Sequence, residues 1–278
     1  MSNRYFGKCA LCGKEGKLTF EHIPPRMAFN WSPAKTLRSD EALKSITSQK
    51  LPWDFSDLHY NNLQKGSGSY TLCNDCNNNT GSWYGKDYVE FAHSICKALI
   101  ESKPRHKDTL QVDCSLYPLR ILKQVSSMFC SVNQYNESQV IQSLRQFVLD
   151  KTSVDFPSFA RIGMYCFIDG IAKNLGIFGV GYTSNSGNNL AVVSEIDHFP
   201  LGFVLFFNPN EQVTIPGEEI SSFKSFDYNQ IASIHLSLPC YETNTLYPLD
   251  YRTKNDIICA RINDRFRRRK EANDPDLW

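Results

Sequence analysis

Two closely spaced cysteine pairs, Cys9-x2-Cys12 and Cys73-x2-Cys76, constrain this chain more than any other feature. Four thiolates arranged as two such pairs can surround one tetrahedral Zn²⁺, which joins segments about 60 residues apart and replaces part of a hydrophobic core. A lone CxxC is compatible with redox chemistry. Here each pair has a partner, and each lies in a polar, turn-forming stretch: Ala10-Leu11 then Gly13 in the first, Asn74-Asp75 then Asn77 in the second. A site with four thiolates leaves no open coordination position, so the zinc expected at Cys9, Cys12, Cys73 and Cys76 is structural. The bland alternative is a set of unpaired cytosolic thiols.

The length of 278 residues suits two domains. A net charge of +1 neither calls for a nucleic-acid partner nor forbids one, since a local basic patch is enough. No apolar run reaches membrane-spanning length and the opening MSNRYFGKCA lacks a signal-peptide core, which gives the expectation of a cytoplasmic protein with no membrane partner. Cys96, Cys114, Cys130, Cys166, Cys240 and Cys259 are scattered through apolar or mixed surroundings, as reduced and mostly buried thiols are.

Taken in order, residues 1–30 read as two short ribbons: one approaches the first knuckle, and one leaves it through Lys17-Leu18-Thr19-Phe20. Glu21 and His22 stand at the strand end, with Pro24-Pro25 behind them to exclude a continuous helix. Residues 29–70 read as an insertion with one short helix around 39–48, and Gly66-Ser67-Gly68-Ser69 as a flexible approach to the second knuckle. After Asn77-Asn78-Asn79-Thr80-Gly81, Tyr84, Tyr88, Phe91, Ile95 and Leu99 recur at helical intervals; that helix stops near Pro104 and packs on the zinc module.

A second domain then runs over 105–278, with 1–104 as the first. Leu119, Leu122, Val125 and Phe129 mark one amphipathic helix, and Val140, Leu144, Phe147 and Val148 mark another. The short apolar runs at 162–168, 176–181, 190–194, 202–207 and 231–238 predict a sheet, so the class is α+β. At the C-terminal end Ile258, Ile262 and Phe266 are spaced to anchor a helix that presents Arg265, Arg268 and Arg269. Such a run suits phosphate contact, and a solvated basic tail explains it equally.

The chemistry resides in Glu21, His22 and Asn77. One zinc drawing the knuckles together brings all three onto one small scaffold. A neutral imidazole takes a proton from water near pH 7, while a carboxylate and an amide oxygen are hard ligands that Mg²⁺ or Mn²⁺ accepts. Phosphodiester hydrolysis needs those groups: a base for water and a cation for the phosphate and the departing oxygen. Asn77 has a rival role as a turn-former or helix cap, and Asn78 can replace it as a ligand. Arg26, four residues past His22, is placed to hold a phosphate or simply to face water.

In these residues the chain resembles the His-Asn-His (HNH) endonuclease superfamily, in the four-cysteine zinc class that includes phage recombination endonucleases. The matching segments are C-A-L-C, then F-E-H-I-P-P, then L-C-N-D-C-N-N-N-T-G, spread over roughly residues 5–100. Glu21 stands where many members have Asp, and Asn77 follows the last cysteine directly. The resemblance implies a zinc-stabilised ββα-metal module, ahead of the α+β C-terminal domain that the apolar runs predict. It implies His22 as general base, Glu21 and Asn77 as ligands of a catalytic Mg²⁺ or Mn²⁺, and DNA as substrate, cut to leave 5′-phosphate and 3′-hydroxyl ends. The second domain is open to a regulatory ligand or a protein partner. The alternative is a non-catalytic zinc-containing module that binds nucleic acid or protein.

Overall fold

Strand β1 (Phe6–Lys8) leads into the first knuckle and β2 (Glu15–His22) leads out, paired antiparallel through Phe6–Lys17 and Lys8–Glu15. The structure, a computed structural model, describes residues 5–37, 41, 42, 44, 50–184, 187–209 and 213–272. Most of the helix expected around 39–48 lies outside the described residues. A separate ribbon, β3 (Ala34–Leu37) with β4 (Tyr60–Leu63), carries the insertion. β5 (Gly68–Cys73) then returns to pair with β2 and complete a three-stranded sheet in the order β1-β2-β5.

Helix α1 (Asn74–Thr80) starts directly after Cys73, ahead of the helix expected to follow Gly81, so Asn77 lies inside a helix and serves as neither turn-former nor cap. Asparagines are poor helix residues, but Asn77 is held by tertiary bonds to β2, and within the helix the Thr80 hydroxyl donates to the Cys76 carbonyl at 3.0 Å. A π-helical turn (Gly81–Gly85) links α1 to α2 (Lys86–Ser102), which ends at Lys103 with φ +49°. Tyr88, Phe91, Ile95 and Leu99 form the buried stripe of α2, as their spacing predicts.

The second region opens with β6 (Thr109–Leu116), which is not among the strands expected from the apolar runs although Leu110, Val112, Cys114 and Leu116 alternate with polar residues. Helix α3 (Pro118–Val132) follows, then α4 (Gln139–Leu149). α3 carries the expected apolar stripe of Leu119, Leu122, Val125 and Phe129, and is covered on nearly every other side as well. α2, α4, the π-helical turn, β5 and β8 (Lys173–Ser184) all pack on it. Its run of Ser126, Ser127, Cys130 and Ser131 lets these neighbours approach closely.

β7 (Ala160–Gly170), β8, β9 (Gly187–His198), β10 (Leu201–Phe207), the short β11 (Glu218–Glu219) and β12 (Ala232–Thr243) join β6 in a seven-stranded sheet. Its order is β6-β12-β7-β10-β9-β8, with β11 beside β7 and one parallel pair, β12 with β7. All seven residues of β10 are buried, because both faces of the sheet are covered. Together with the helices this is an α+β fold. On one face a single apolar cluster runs from Leu11, Leu72 and Tyr84 through Leu119 and Phe129 to Ile162 and Phe203, so regions 1–104 and 105–278 share a core.

On the other face lie Tyr165, Phe167, Val193 and Phe206 around a buried polar group. Lys173 Nζ lies 3.1 Å from both Glu195 Oε1 and Asp197 Oδ2, and the Tyr165 hydroxyl lies within hydrogen-bond distance of both carboxylates. Burial pushes Asp197 up to about 8. Glu195 also accepts the Leu249 N–H at 2.8 Å, and Lys173 donates to the Tyr247 carbonyl, which pins the loop before α5 (Lys254–Ala272). α5 is anchored by Ile257, 3% exposed; Ile258 and Ile262, expected as anchors, are largely exposed at 36% and 45%. The side chains of Arg265, Phe266, Arg268 and Arg269 lie outside the described residues. No helix among the described residues is long and apolar enough to cross a membrane.

Candidate active site and metal centre

The thiols of Cys9, Cys12, Cys73 and Cys76 all lie within 4.8 Å of one another and can hold a metal ion such as zinc. Cys12 Sγ and Cys73 Sγ are 3.8 Å apart, close to the edge of about 3.8 Å that zinc–sulfur bonds of about 2.3 Å give a tetrahedron. The Cys73 N–H donates to Cys9 Sγ at 3.3 Å. The hydrogen bond between the Cys9 and Cys76 thiols lowers Cys9 and raises Cys76, the mark of two sulfurs close enough to share one proton or one cation.

Beside this centre, α1 lies against β2 and β5, and Asn77 ties helix to strand. Its Nδ2 donates to Thr19 Oγ1 at 2.9 Å and to the Phe20 carbonyl at 3.2 Å. The amide nitrogen is thereby spent on the scaffold, and Oδ1 is the atom left to meet a ligand. Thr19 pairs with Leu72 and Phe20 with Tyr70, so Thr71 is the extra residue of a β-bulge on β5. Its hydroxyl reaches Glu21 Oε2 at 3.4 Å, and Ser131 from α3 donates to the same oxygen at 2.7 Å. Burial raises Glu21 to about 7, against the opposing pull of those two hydroxyls. Glu21 is therefore turned further into the protein than an open metal site suggested, with one oxygen anchored and Oε1 free of hydrogen bonds.

His22 is oriented by the backbone. Its Nε2 is 2.9 Å from the Lys65 carbonyl, and a carbonyl only accepts, so Nε2 carries the proton and Nδ1 the lone pair. Burial, followed by the charges of Arg26 and Lys65, lowers its pKa below the ordinary histidine value and keeps the ring neutral near pH 7.

The segment that carries Lys65 is held tightly, contrary to the expected flexible approach. A Cβ on Gly66, which has φ +99°, would fall 2.2 Å from the Asn30 carbonyl oxygen, and one on Gly68 would fall 2.1 Å from that of Glu21. These glycines serve close backbone approach rather than mobility. Asn30, 1% exposed, donates to the carbonyls of Pro24 and Ser67 and accepts the Ser67 N–H, each at 2.7 Å. Asn174 on β8 reaches across to Ser67 Oγ at 2.8 Å and to the Ile23 carbonyl at 3.3 Å. Asn30→Ala strands three backbone groups around the His22 loop. It should lower the unfolding free energy by about 2–3 kcal/mol, read by urea denaturation with unchanged m-value.

Glu21, His22 and Asn77 line one cleft of about 410 Å³, with Arg26 and Lys86 as exposed cations on its wall. Neither cation has an ion-pair partner among the described residues. The sequence reading missed the Lys65 carbonyl, Asn30 and Gln124, a residue of α3 that reaches the same cleft. Of these only Gln124 left a signal, as an amide set inside an apolar helical run. His93 binds the Met27 carbonyl at 2.8 Å and His235 pairs with Asp113 on the exposed β6–β12 surface, both away from the zinc ligands. Comparison with protein-family models, curated sequences and solved structures finds no match to this chain.

Proposed function

We propose that the chain is a divalent-metal-dependent endonuclease of the His-Asn-His kind that hydrolyses phosphodiester bonds in DNA, with the four cysteines around a structural zinc. The observation that carries this reading is His22: a neutral imidazole with Nε2–H committed to the Lys65 carbonyl and Nδ1 available, in a cleft shared with Asn77 and two unpaired cations. Nδ1 takes a proton from water as the water oxygen bonds to phosphorus, and the bond from phosphorus to the 3′ oxygen breaks. The departing oxygen leaves as a hydroxyl after gaining a proton from solvent. Arg26 and Lys86 attract the phosphate backbone. Glu21 through Oε1 and Asn77 through Oδ1 would hold Mg²⁺ or Mn²⁺, whose charge neutralises the scissile phosphate. The ten free cysteines suit the reducing cytoplasm.

The second reading, a non-catalytic zinc-containing module that binds nucleic acid or protein, is favoured by one feature. Glu21 is anchored inward and its raised pKa leaves it partly protonated near pH 7, a poor state for a cation ligand. Zinc-loaded full-length protein, titrated with Mg²⁺ and Mn²⁺ against duplex, single-stranded and branched DNA and against RNA, separates the two. Metal-dependent cutting is expected, together with a rise in melting temperature on adding Mn²⁺ that Glu21→Gln removes. Binding without cutting in any divalent metal would leave the binding module standing instead.

A further inference from the structure

The cleft continues past His22 and Asn77 to a floor supplied by the second region. Gln124 on α3 is 3% exposed, and its Oε1 is shut off from bulk water without a hydrogen-bond partner. A buried amide oxygen without a donor has given up its hydration for nothing in return, so such a group in a cleft points to a donor that arrives from outside. Gln124 is held in place by a helix packed on nearly every side. The chain above it is the π-helical turn, a distortion frequent at functional sites. Gly85 of that turn lies beside the amide, where a Cβ would make ordinary van der Waals contact with Oε1 at 3.7 Å.

A cleft of about 410 Å³ falls within the range of about 300–1,000 Å³ typical of small-ligand sites, well beyond one water molecule. Its walls divide by chemistry. Phe20, Met27 and Val89 offer apolar surface, Arg26 and Lys86 offer positive charge, and Gln124 offers an amide edge at depth. A ligand matching all three has a flat apolar face, an edge with N–H donors beside an acceptor, and an attached anion. A nucleotide has each of these.

Resting on the nuclease reading above, we infer that the floor of the cleft receives one nucleobase turned out of its stack, its edge hydrogen-bonded by Gln124 and its phosphates held by Arg26 and Lys86. A base inside a stacked, paired duplex cannot reach a group so deeply covered. The nucleotide must be extruded or unpaired to enter.

The test uses full-length, zinc-loaded His22→Ala protein, which holds its substrate without cutting, and DNA oligonucleotides with 2-aminopurine at successive positions. Extrusion raises 2-aminopurine emission several-fold at one position only, and an abasic residue at that position weakens binding about tenfold. Adding Gln124→Met, close in volume to glutamine, removes the emission rise and makes the abasic and intact oligonucleotides bind alike, with the melting temperature unchanged. Tight binding with no emission rise at any position, or an abasic penalty that persists in Gln124→Met, overturns the inference and leaves Gln124 to an ordered water. The abasic comparison on the His22→Ala protein needs no change at Gln124, so a folding defect in the Met variant cannot mask the answer. If neither DNA nor RNA binds or is cut by the wild-type protein, the nuclease reading fails first and this one with it.

Discussion

His22→Ala is expected to lower phosphodiester cleavage by roughly 10²–10⁴-fold, the range for loss of a positioned general base, while zinc content and melting temperature stay near wild type. The structural cost is small because the ring is only part-buried and its one hydrogen bond is with the Lys65 carbonyl. Glu21→Ala and Asn77→Ala weaken a different step, cation binding, so part of their loss should return at higher Mg²⁺ or Mn²⁺. The His22→Ala loss should not return with metal. The pH profile carries a sign as well. Burial and the neighbouring Arg26 and Lys65 hold the His22 pKa below the ordinary 6.5, so the basic form is already dominant at neutral pH. At saturating metal the rate should rise with pH through a point below 6.5 and then level. A rate that climbs steadily through pH 8 would show that another group supplies the base.

Local chemistry made much of the site legible, and distance in sequence hid the rest. The two CxxC pairs are a local spacing whose meaning depends on little else, and the four thiols do gather. Glu21 and His22 were placed by the strand end before Pro24-Pro25, since proline acts on its immediate neighbours. What orients those groups is remote. Lys65 lies 43 residues from His22 and Ser131 lies 110 residues from Glu21, and neither position carries a chemical marker in the sequence. Gly66-Ser67-Gly68-Ser69 read as a flexible tether because glycine permits both freedom and close contact. The sequence alone does not say which is used. α3 was only partly legible for a related reason. A helix buried on several sides by different elements shows the same apolar stripe as an amphipathic one, with serines at contacts where an exposed face would also carry them. β6 alternates apolar and polar residues and was legible in the sequence, while its partner β12 lies more than a hundred residues later.

The largest effect on folding is expected from the metal. On the structural-zinc proposal the wild type should carry about one equivalent of zinc per chain, and Cys76→Ser should lose it and lower the melting temperature by on the order of 10 °C or more. Structural zinc contributes folding free energy outright, and this site joins β1 and β2 to the start of α1. If the first region were an independent module, its loss would leave residues 105–278 melting as before. The shared core argues otherwise. Tyr84 donates to the Val148 carbonyl at 2.8 Å, Tyr88 lies against Phe203 at a ring separation of 6.2 Å, and Glu21 is bonded to Ser131. Each contact crosses from the zinc-supported segment into the helices or sheet of the second region. One cooperative transition, shifted downward as a whole, is therefore the expected melting curve of Cys76→Ser. Cys259→Ser, at an exposed thiol on α5, serves as the control and should retain both zinc and melting temperature. An unshifted transition for the second region, with only a small early loss of signal, would mean that the buried interface couples the two regions far more weakly than its contacts imply.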